Sequence, residues 1–183
     1  MRVLYGRHYE ARYEAIADLI EPDSTVLDLC CGPAVIYHRH LRLKRVAYIG
    51  LDINPTFVQR VIDGGALGSV WDLREARSLP LADYVLMQAS LYHFLPNAMP
   101  VLQRMRNAAK RAVIVAEPIR NLTTSRLPLI NSFGSLLTDA GNGLERSRFS
   151  EEVLDEVINK SFGSAKSFLI EGGRERVYVH YVG

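Results

Sequence analysis

Three aspartates in the first half of the chain stand where short apolar segments end, and together they could bind hydroxyl and amino groups of a ligand. Asp28 lies in the apolar run that starts at Thr25, Asp52 closes the next run, and Asp72 follows Trp71. The first aspartate precedes a turn of small residues, where a ligand can approach the backbone closely. A carboxylate at the end of the second run can accept two hydrogen bonds from a ribose diol, as in several classes of nucleoside site.

The elements that must position these aspartates alternate along the chain as short strands and helical patterns. Strands are predicted at 25–29, 46–51, 69–71, 83–88 and 112–116, with a closing pair at 165–170 and 176–182. This alternation predicts an α/β fold in which a mostly parallel sheet has helices on both faces. Ligands of such sheets bind outside the carboxyl ends of the strands, beside the first strand, and the three aspartates fall at those ends.

Helix boundaries and irregular segments complete the predicted organisation. Asn54 followed by Pro55 is typical of a helix start, as is Ser150 followed by two glutamates. Apolar and aromatic residues spaced by three and four between Leu4 and Ile20 predict an amphipathic N-terminal helix. The pattern lapses over 121–149, which is rich in proline, glycine, serine and threonine, and a stretch this long in a compact domain is usually functional or disordered.

Two kinds of nucleoside ligand share this arrangement, and the residues distinguish them. A dinucleotide fingerprint needs glycines where this chain has Cys30, Gly32 and Val35. Pro33 has no amide hydrogen to offer a pyrophosphate. Asp28 would repel a pyrophosphate but suits an ammonium group, and Asp72 could accept a hydrogen bond from an adenine amino group. A nicotinamide dinucleotide is therefore disfavoured.

The ordered motifs resemble those of class I S-adenosylmethionine-dependent methyltransferases, in particular the branch that acts on small molecules. The resemblance is carried by segments 26–34, 48–52, 71–73, 82–88 and 117–118. It implies a three-layer Rossmann-like sandwich whose mostly parallel, doubly wound sheet has about seven strands and an antiparallel final strand. It also implies S-adenosylmethionine as the cofactor. We expect one domain over 1–183, made of an N-terminal helix or lid (1–22), a cofactor-binding core (24–119), a substrate cover (121–149) and a closing helix with two strands (150–183).

The resemblance also assigns cofactor contacts to residues at the strand ends. The methionine part is expected near the first turn, the ribose and adenine near the second and third strands, and backbone atoms from the fourth strand beside them. The residues concerned are Asp28, Cys30, Cys31, Gly32, Asp52, Ile53, Trp71, Asp72, Leu73, Gln88 and Ala89, with Tyr9 covering the sulfonium. The chain departs from the family at Cys30 and Ala34, where glycine is usual, and alanine does not easily take a positive φ.

Two side chains are candidates for the chemistry itself. His93 resembles a histidine of the small-molecule methyltransferases and could act as a general base or orient the acceptor, whereas a locally packed histidine is the simpler interpretation. Glu117 follows the fifth strand and could contact substrate, or it could be a structural carboxylate that binds Arg120 or a loop amide. Methyl transfer from a sulfonium mainly requires alignment and exclusion of water.

Composition narrows the classes of function that remain. The 183 residues carry 22 basic and 20 acidic side chains, a net charge of +2, and this disfavours a committed nucleic-acid binder. A basic cluster that includes Arg104 and Arg106 on one predicted helix is expected to be a solvated face. Adjacent Cys30 and Cys31 are too close for an ordinary disulfide, and we expect no metal site. No signal or membrane-spanning stretch is predicted, so we expect a cytoplasmic protein.

The sequence thus predicts an enzyme that transfers a methyl group from S-adenosylmethionine to a small-molecule acceptor. Two alternatives stay open: a methyltransferase-like binding module without catalysis, and a methyltransferase that acts on RNA or protein. The altered positions Cys30 and Ala34 keep the first alternative open, while Asp28, Asp52 and Asp72 weigh against it. The acceptor and the oligomeric state are not predicted.

Overall fold

The architecture alternates strands and helices in the predicted order. A computed structural model of the protein describes residues 9–119, 149–170, 172 and 175–183. The helices are α1 (Ala11–Ala17), α2 (Val35–Arg39), α3 (Pro55–Asp63), α4 (Met99–Ala108) and α5 (Glu151–Phe162). The strands are β1 (Thr25–Leu29), β2 (Ala47–Asp52), β3 (Leu67–Val70), β4 (Ala82–Gln88), β5 (Ala109–Pro118), β6 (Lys166–Leu169) and β7 (Glu175–Tyr181). Short 3₁₀ helices span Leu41–Lys44 and Leu91–Phe94.

The seven strands form one sheet in the order β3-β2-β1-β4-β5-β7-β6. Neighbours from β3 to β5 pair in parallel, whereas β7 runs antiparallel to both β5 and β6. The direction of winding reverses beside β1, since β2 and β3 lie on one side of it and β4 and β5 on the other. The predicted fold class is therefore confirmed, including the antiparallel final strand.

The sheet separates two apolar layers because successive side chains along each strand point to opposite faces. In β1, Leu27 and Leu29 face one layer together with α4 and α5, and Val26 faces the other with α1 and α2. The strand has four buried residues out of five, as expected for a central parallel strand covered on both sides. Helices on both faces of one sheet give the three-layer sandwich.

Local sequence signals account for several of the element boundaries. The Asn54 side chain accepts a hydrogen bond from the Thr56 amide at 2.9 Å, and Pro55 occupies the first helical position of α3. Ser150 caps α5 in the same way, through the Val153 amide. The predicted N-terminal helix is seen as α1, with residues 1–8 outside the described part. The predicted cover segment also lies outside it, apart from Phe149.

Parallel pairing brings the strand ends to one edge of the sheet. Leu29 of β1 aligns with Leu51 of β2 on one side and with Met87 of β4 on the other. The segments that follow β1, β2 and β4 are therefore adjacent in space, although the first and the last begin 59 positions apart in the sequence. Within the described residues, the longest apolar helices fall short of what is needed to cross a bilayer.

Candidate functional site

The turn after β1 is held in an unusual backbone conformation. Cys30, Gly32 and Ala34 all have left-handed φ values, at 53°, 53° and 49°. The expectation that alanine would resist a positive φ is therefore corrected at Ala34. Its amide donates to the Cys31 carbonyl at 3.0 Å, and the tight turn fixes the conformation. A left-handed non-glycine residue costs about 1–2 kcal/mol, and such strain collects at functional sites.

Asp52, at the end of β2, connects this turn to the segment after β2. Its Oδ2 accepts a hydrogen bond from the Gly32 amide at 2.8 Å, and its Oδ1 accepts one from the Asn54 amide at 2.8 Å. Each carboxylate oxygen can accept a second hydrogen bond, so capacity remains for a ligand diol. A β-carbon built on Gly32 would meet no described atom within 4 Å, which indicates open space above the turn.

Asp28 is a buried carboxyl group inside β1. Its Oδ2 accepts a hydrogen bond of 2.5 Å from the hydroxyl of Tyr48 on β2, and only 2% of the residue is exposed. Burial raises the pKa of Asp28 to about 7; the Tyr48 hydrogen bond lowers it and the charge of Asp52 raises it further. A nearby cation would restore the charged form. Tyr48 was not identified from the sequence, because its pairing depends on the register of two strands.

The two cysteines of the turn face different surroundings. The sulfur of Cys31 packs towards β2, where a β-carbon built on Gly50 would lie 2.9 Å from it. Cys30 packs against the apolar layer that contains α4 and α5, and its thiol lies in the electrostatic field of Asp28 and Asp52. Burial raises the pKa of both thiols, which are free and uncharged at neutral pH. Neither has the lowered pKa that a nucleophilic cysteine requires.

The predicted adenine residues follow β2 and β3. Ile53 exposes 43% of its surface next to Asp52, which makes it an apolar side chain available to cover a flat ring. Leu73 is buried, and the Asp72 side chain is about one-third exposed, with Oδ1 accepting from the Arg74 amide at 2.9 Å. The Trp71 ring packs on the core, and the guanidinium of Arg77 lies 4.0 Å from its centroid.

Two buried nitrogen atoms at this edge lack a hydrogen-bond partner within the described residues. They are Nε1 of Trp71 and Nε2 of Gln88, the last residue of β4. Buried polar groups are normally satisfied, so these two donors indicate positions where a bound molecule can supply acceptors. Ala89 follows Gln88 with a left-handed φ of 49°, and its amide donates to the Ala116 carbonyl at 2.7 Å.

Glu117 is a fully buried carboxylate near the end of β5. Its Oε1 accepts hydrogen bonds of 2.6 Å from the amides of Ser90 and Leu91, which begin the 3₁₀ helix after β4. Loop amides are thus hydrogen-bond partners of Glu117, and Arg120, the other partner considered from the sequence, lies outside the described residues. Glu117 therefore fixes the segment that carries His93.

His93 lies on that 3₁₀ helix and lines a cavity of about 300 Å³. Its ring lies against Tyr92, with centroids 4.0 Å apart. The cavity is also lined by Leu73, Arg74, Phe94, Asn97 and Arg104. Sequence reasoning missed the two arginines as cavity residues: the basic helix face was expected to be solvated, and Arg104 on that face is half-buried. Its guanidinium donates to backbone carbonyl groups of the segment after β3.

Helix α1 contacts the start of β7, which pairs with the end of β5. Arg12 of α1 forms a buried ion pair with Glu175, the first residue of β7, with Nε–Oε2 and Nη2–Oε1 distances of 2.8 and 3.0 Å. Tyr9 and Tyr13 contact each other edge to face, and their hydroxyl oxygens are 3.3 Å apart. The Tyr13 ring is buried, whereas Tyr9 is partly exposed.

Metal chemistry has no evident ligand set in the part of the chain that the structure describes. No three histidine, cysteine, aspartate or glutamate side chains are grouped there as a metal ion would require. The acids of the edge instead make hydrogen bonds to backbone amides and to Tyr48.

Comparison with known proteins gives matches in structure but not in sequence. No protein-family model matches the chain, and no curated protein matches it significantly. The magnesium protoporphyrin IX methyltransferase of Synechocystis, with bound S-adenosylhomocysteine, superposes with a TM-score of 0.71 and 15% identity, covering 96% of this chain and 84% of that one. A TehB-like S-adenosylmethionine-dependent methyltransferase from Corynebacterium glutamicum gives 0.62 and 18%, covering 94% and 86%.

A third similar structure contains the Trm112 methyltransferase activator of Haloferax volcanii together with its partner protein. It superposes with a TM-score of 0.71 and 15% identity, over 96% of this chain and 90% of that one. The chain therefore has the fold of the class I, Rossmann-like S-adenosylmethionine-dependent methyltransferases, and the fold that the motifs predicted is confirmed.

Proposed function

We propose that the protein transfers a methyl group from S-adenosylmethionine to a small-molecule acceptor. The observation that carries the proposal is the placement of Asp28, Asp52 and Asp72 at the carboxyl ends of three adjacent strands, β1, β2 and β3. In sheets of this type, ligands bind at that edge, beside the strand where the winding reverses.

The residues at this edge fit the three parts of the cofactor. Asp52 keeps acceptor capacity for the ribose hydroxyls after its two backbone hydrogen bonds. Asp28 is buried, and a tyrosine hydroxyl is its side-chain hydrogen-bond partner among the described residues, so the ammonium group of the methionine part would give it a favourable charged partner. Asp72 and the exposed Ile53 offer an acceptor and an apolar surface to adenine.

The two buried donors without partners strengthen this fit. Nε2 of Gln88 and Nε1 of Trp71 need acceptors, and the described residues provide none. A bound nucleoside with an amino-acid tail carries several oxygen and nitrogen acceptors. Leaving such donors unsatisfied costs about 1–3 kcal/mol each, so a ligand that satisfies them gains binding free energy.

When bound, S-adenosylmethionine supplies an electrophilic methyl group on a sulfonium. The chain must then hold the acceptor in line and exclude water. We assign acceptor positioning to His93, which lines the cavity beside Leu73 and has an imidazole able to accept a proton. Glu117 acts through the backbone amides of Ser90 and Leu91 and is a positioning residue.

A small acceptor is supported by charge and by the size of the cavity. The net charge of +2 gives no general attraction for nucleic acid. The cavity of about 300 Å³ at His93 is within the size range of small-molecule sites.

Calorimetric titration of the full chain with S-adenosylmethionine and S-adenosylhomocysteine tests the cofactor, with NAD as a control ligand. We expect both to bind and NAD not to bind. Asp52→Asn should weaken both by about a hundredfold, since it removes charge-assisted hydrogen bonds to the ribose. The matched control is Asp63→Asn, at the exposed end of α3, which should leave affinity within about twofold.

Transfer of labelled methyl groups to a panel of small molecules then tests the reaction. The proposal would be contradicted if Asp52→Asn and Asp63→Asn lost S-adenosylmethionine affinity equally, or if the folded protein did not bind S-adenosylmethionine. Binding of S-adenosylmethionine without transfer to any small molecule, together with transfer to RNA or protein, would contradict the small-molecule acceptor alone.

A further inference from the structure

The cavity at His93 has a lining with an unusual charge balance. Among the described residues that line it, Arg74, Arg104 and His93 are basic or can become so, and none is acidic. The other lining residues are apolar apart from Asn97, and they include Leu73 and Phe94. A cavity with this lining favours a ligand that joins a negative charge to an apolar body.

Among the described residues, no carboxylate forms an ion pair with Arg104. Its guanidinium donates to the carbonyl oxygen of Leu73, to that of Glu75 at 2.6 Å and to that of Arg77 at 3.4 Å. All of these partners are neutral. Burial lowers the pKa of Arg104, and no acidic neighbour among the described residues opposes that effect. A buried or half-buried cation is costly unless it is paired, so an anion in the cavity would be stabilised by Arg104.

Arg74 is the second arginine of the cavity, and it is more exposed than Arg104. About half of its side chain is exposed, and its Nη1 lies 3.9 Å from Asp72 Oδ1, at the limit of a salt bridge. Its guanidinium also lies 5.9 Å from the centroid of Phe94, on the cavity wall. A contact so long and so exposed contributes little, and the guanidinium can turn towards a ligand at small cost. The fork of donors on an arginine suits carboxylate and phosphate oxygens.

We propose that this cavity binds the anionic group, carboxylate or phosphate, of a small molecule. Arg74 and His93 contact that group, and the positive charge of Arg104 stabilises it electrostatically. The assignment of that molecule as the methyl acceptor rests on the proposed function, because His93 belongs both to the anion site and to the proposed acceptor site. The acceptor is then a small organic acid or phosphate ester whose apolar part lies against Leu73 and Phe94.

Titration of the full chain with inorganic phosphate and with acetate, followed by nitrogen-15 NMR, tests the cavity without any need for turnover. We expect saturable shifts of the His93 ring and Arg74 Nε signals, at millimolar concentrations for such small probes. Arg74→Gln should weaken binding at least tenfold. The matched control is Arg106→Gln, which removes the same charge from an exposed position on α4 and should change binding less than twofold.

Three results would overturn the anion site: no saturable shift at these signals, equal weakening by both arginine variants, or loss of phosphate binding when S-adenosylhomocysteine is bound. The third would assign the cavity to the cofactor. Preference for phosphate over acetate, or the reverse, identifies which anion the site takes and supports it.

A second measurement separates the acceptor assignment from the proposed function. Labelled methyl transfer to carboxylic acids should exceed transfer to their neutral amides by at least tenfold in kcat/KM, and Arg74→Gln should remove that preference. Equal transfer to acids and amides would overturn the anionic acceptor while leaving the methyltransferase intact. Absence of all transfer and of cofactor binding, with the phosphate shifts retained, would contradict the proposed function and keep the anion site.

Discussion

Acidic side chains lie at the carboxyl edge of the sheet in both of its halves, but their hydrogen-bond and ion-pair partners differ between the halves. In the half formed by β1, β2 and β3, Asp28 has a tyrosine hydroxyl as its hydrogen-bond donor and Asp52 two backbone amides. In the half formed by β5 and β7, Glu117 is buried and accepts hydrogen bonds of 2.6 Å from two backbone amides, and Glu175 forms an ion pair with a buried arginine.

We infer from this difference that a carboxylate at a strand end is not by itself a sign of a ligand site. Glu117 accepts hydrogen bonds from the segment after β4, and Glu175 pairs with Arg12 of α1, so both acids make contacts within the protein. Asp28 instead carries a desolvation cost that the protein relieves only in part. The contacts of each acid, more than its position, distinguish structural from ligand-binding roles.

The largest expected effect is in the β5–β7 half. Glu175→Gln leaves the Arg12 guanidinium buried without an opposite charge, so we expect a loss of about 3–5 kcal/mol in the free energy of unfolding. Urea denaturation measures it. The control is Glu151→Gln, which breaks a partly exposed ion pair of 3.0 Å with Arg176 and should cost less than about 1 kcal/mol. Similar losses in the two variants would contradict a structural role specific to the buried pair.

In the β1–β3 half, removal of an acid should have the opposite effect on stability. The pKa of Asp28 is about 7 in the folded protein and near 3.8 when unfolded, so the folded state binds the proton more tightly. Its stability therefore falls as pH rises from about 4 to 7 and stays reduced above pH 7. Asp28→Asn, which stays neutral, should exceed the wild type by up to about 4 kcal/mol at pH 8 and match it near pH 4.

Denaturant titrations at several pH values measure this crossover. The same variant should bind S-adenosylmethionine more weakly, because the ammonium group loses its carboxylate. A variant that is less stable than the wild type at pH 8 would show that the buried carboxylate is not a cost to the protein. Unchanged cofactor affinity would remove Asp28 from the cofactor site.

A smaller effect is expected from the acid that holds the segment after β4. Glu117→Ala removes the acceptor of two amides and should cost about 2 kcal/mol in the free energy of unfolding. Glu117→Gln keeps an acceptor oxygen and should cost less. Methyl transfer should fall in Glu117→Ala because His93 loses its fixed position, while the affinity for S-adenosylhomocysteine should change little. A large loss of cofactor affinity in both variants would place Glu117 among the cofactor contacts.

The smallest expected effect concerns the backbone of the edge. Ala89 has a left-handed φ of 49°, so Ala89→Gly relieves strain of about 1–2 kcal/mol and offsets the entropy that glycine adds to the unfolded chain. Thermal unfolding should therefore show no loss of stability. Ala47→Gly, in the extended strand β2, should cost about 1 kcal/mol. A comparable loss in both variants would contradict strain at Ala89.

Much of the fold could be predicted because its signals are local. The caps at Asn54 and Ser150 and the apolar strand runs follow from nearby residues. The strand order also predicted that Asp52 and the turn at Gly32 share one edge of the sheet, and the structure shows a hydrogen bond between them. The partners of buried acids could not be predicted in the same way. Tyr48 meets Asp28 through strand register, and Arg12 meets Glu175 across 163 positions of sequence.

The cavity could not be predicted for the same reason. Arg104 belongs to a basic stretch that reads as a solvated helix face, and only the packing of α4 against the segment after β3 shows its contacts with backbone carbonyls. The left-handed backbone of Ala34 could not be predicted either. Alanine disfavours a positive φ, but the tight turn imposes one.

A crystal structure of the protein with S-adenosylhomocysteine tests most directly whether the two halves of the edge divide their roles in this way. We predict that the ligand lies across β1, β2 and β3, with its ribose hydroxyls on Asp52 and its adenine beside Ile53 and Asp72. Glu117 should keep its two backbone amides and make no contact with the ligand. A nucleoside bound over β5 and β7, or bound without contact to Asp52, would contradict the account.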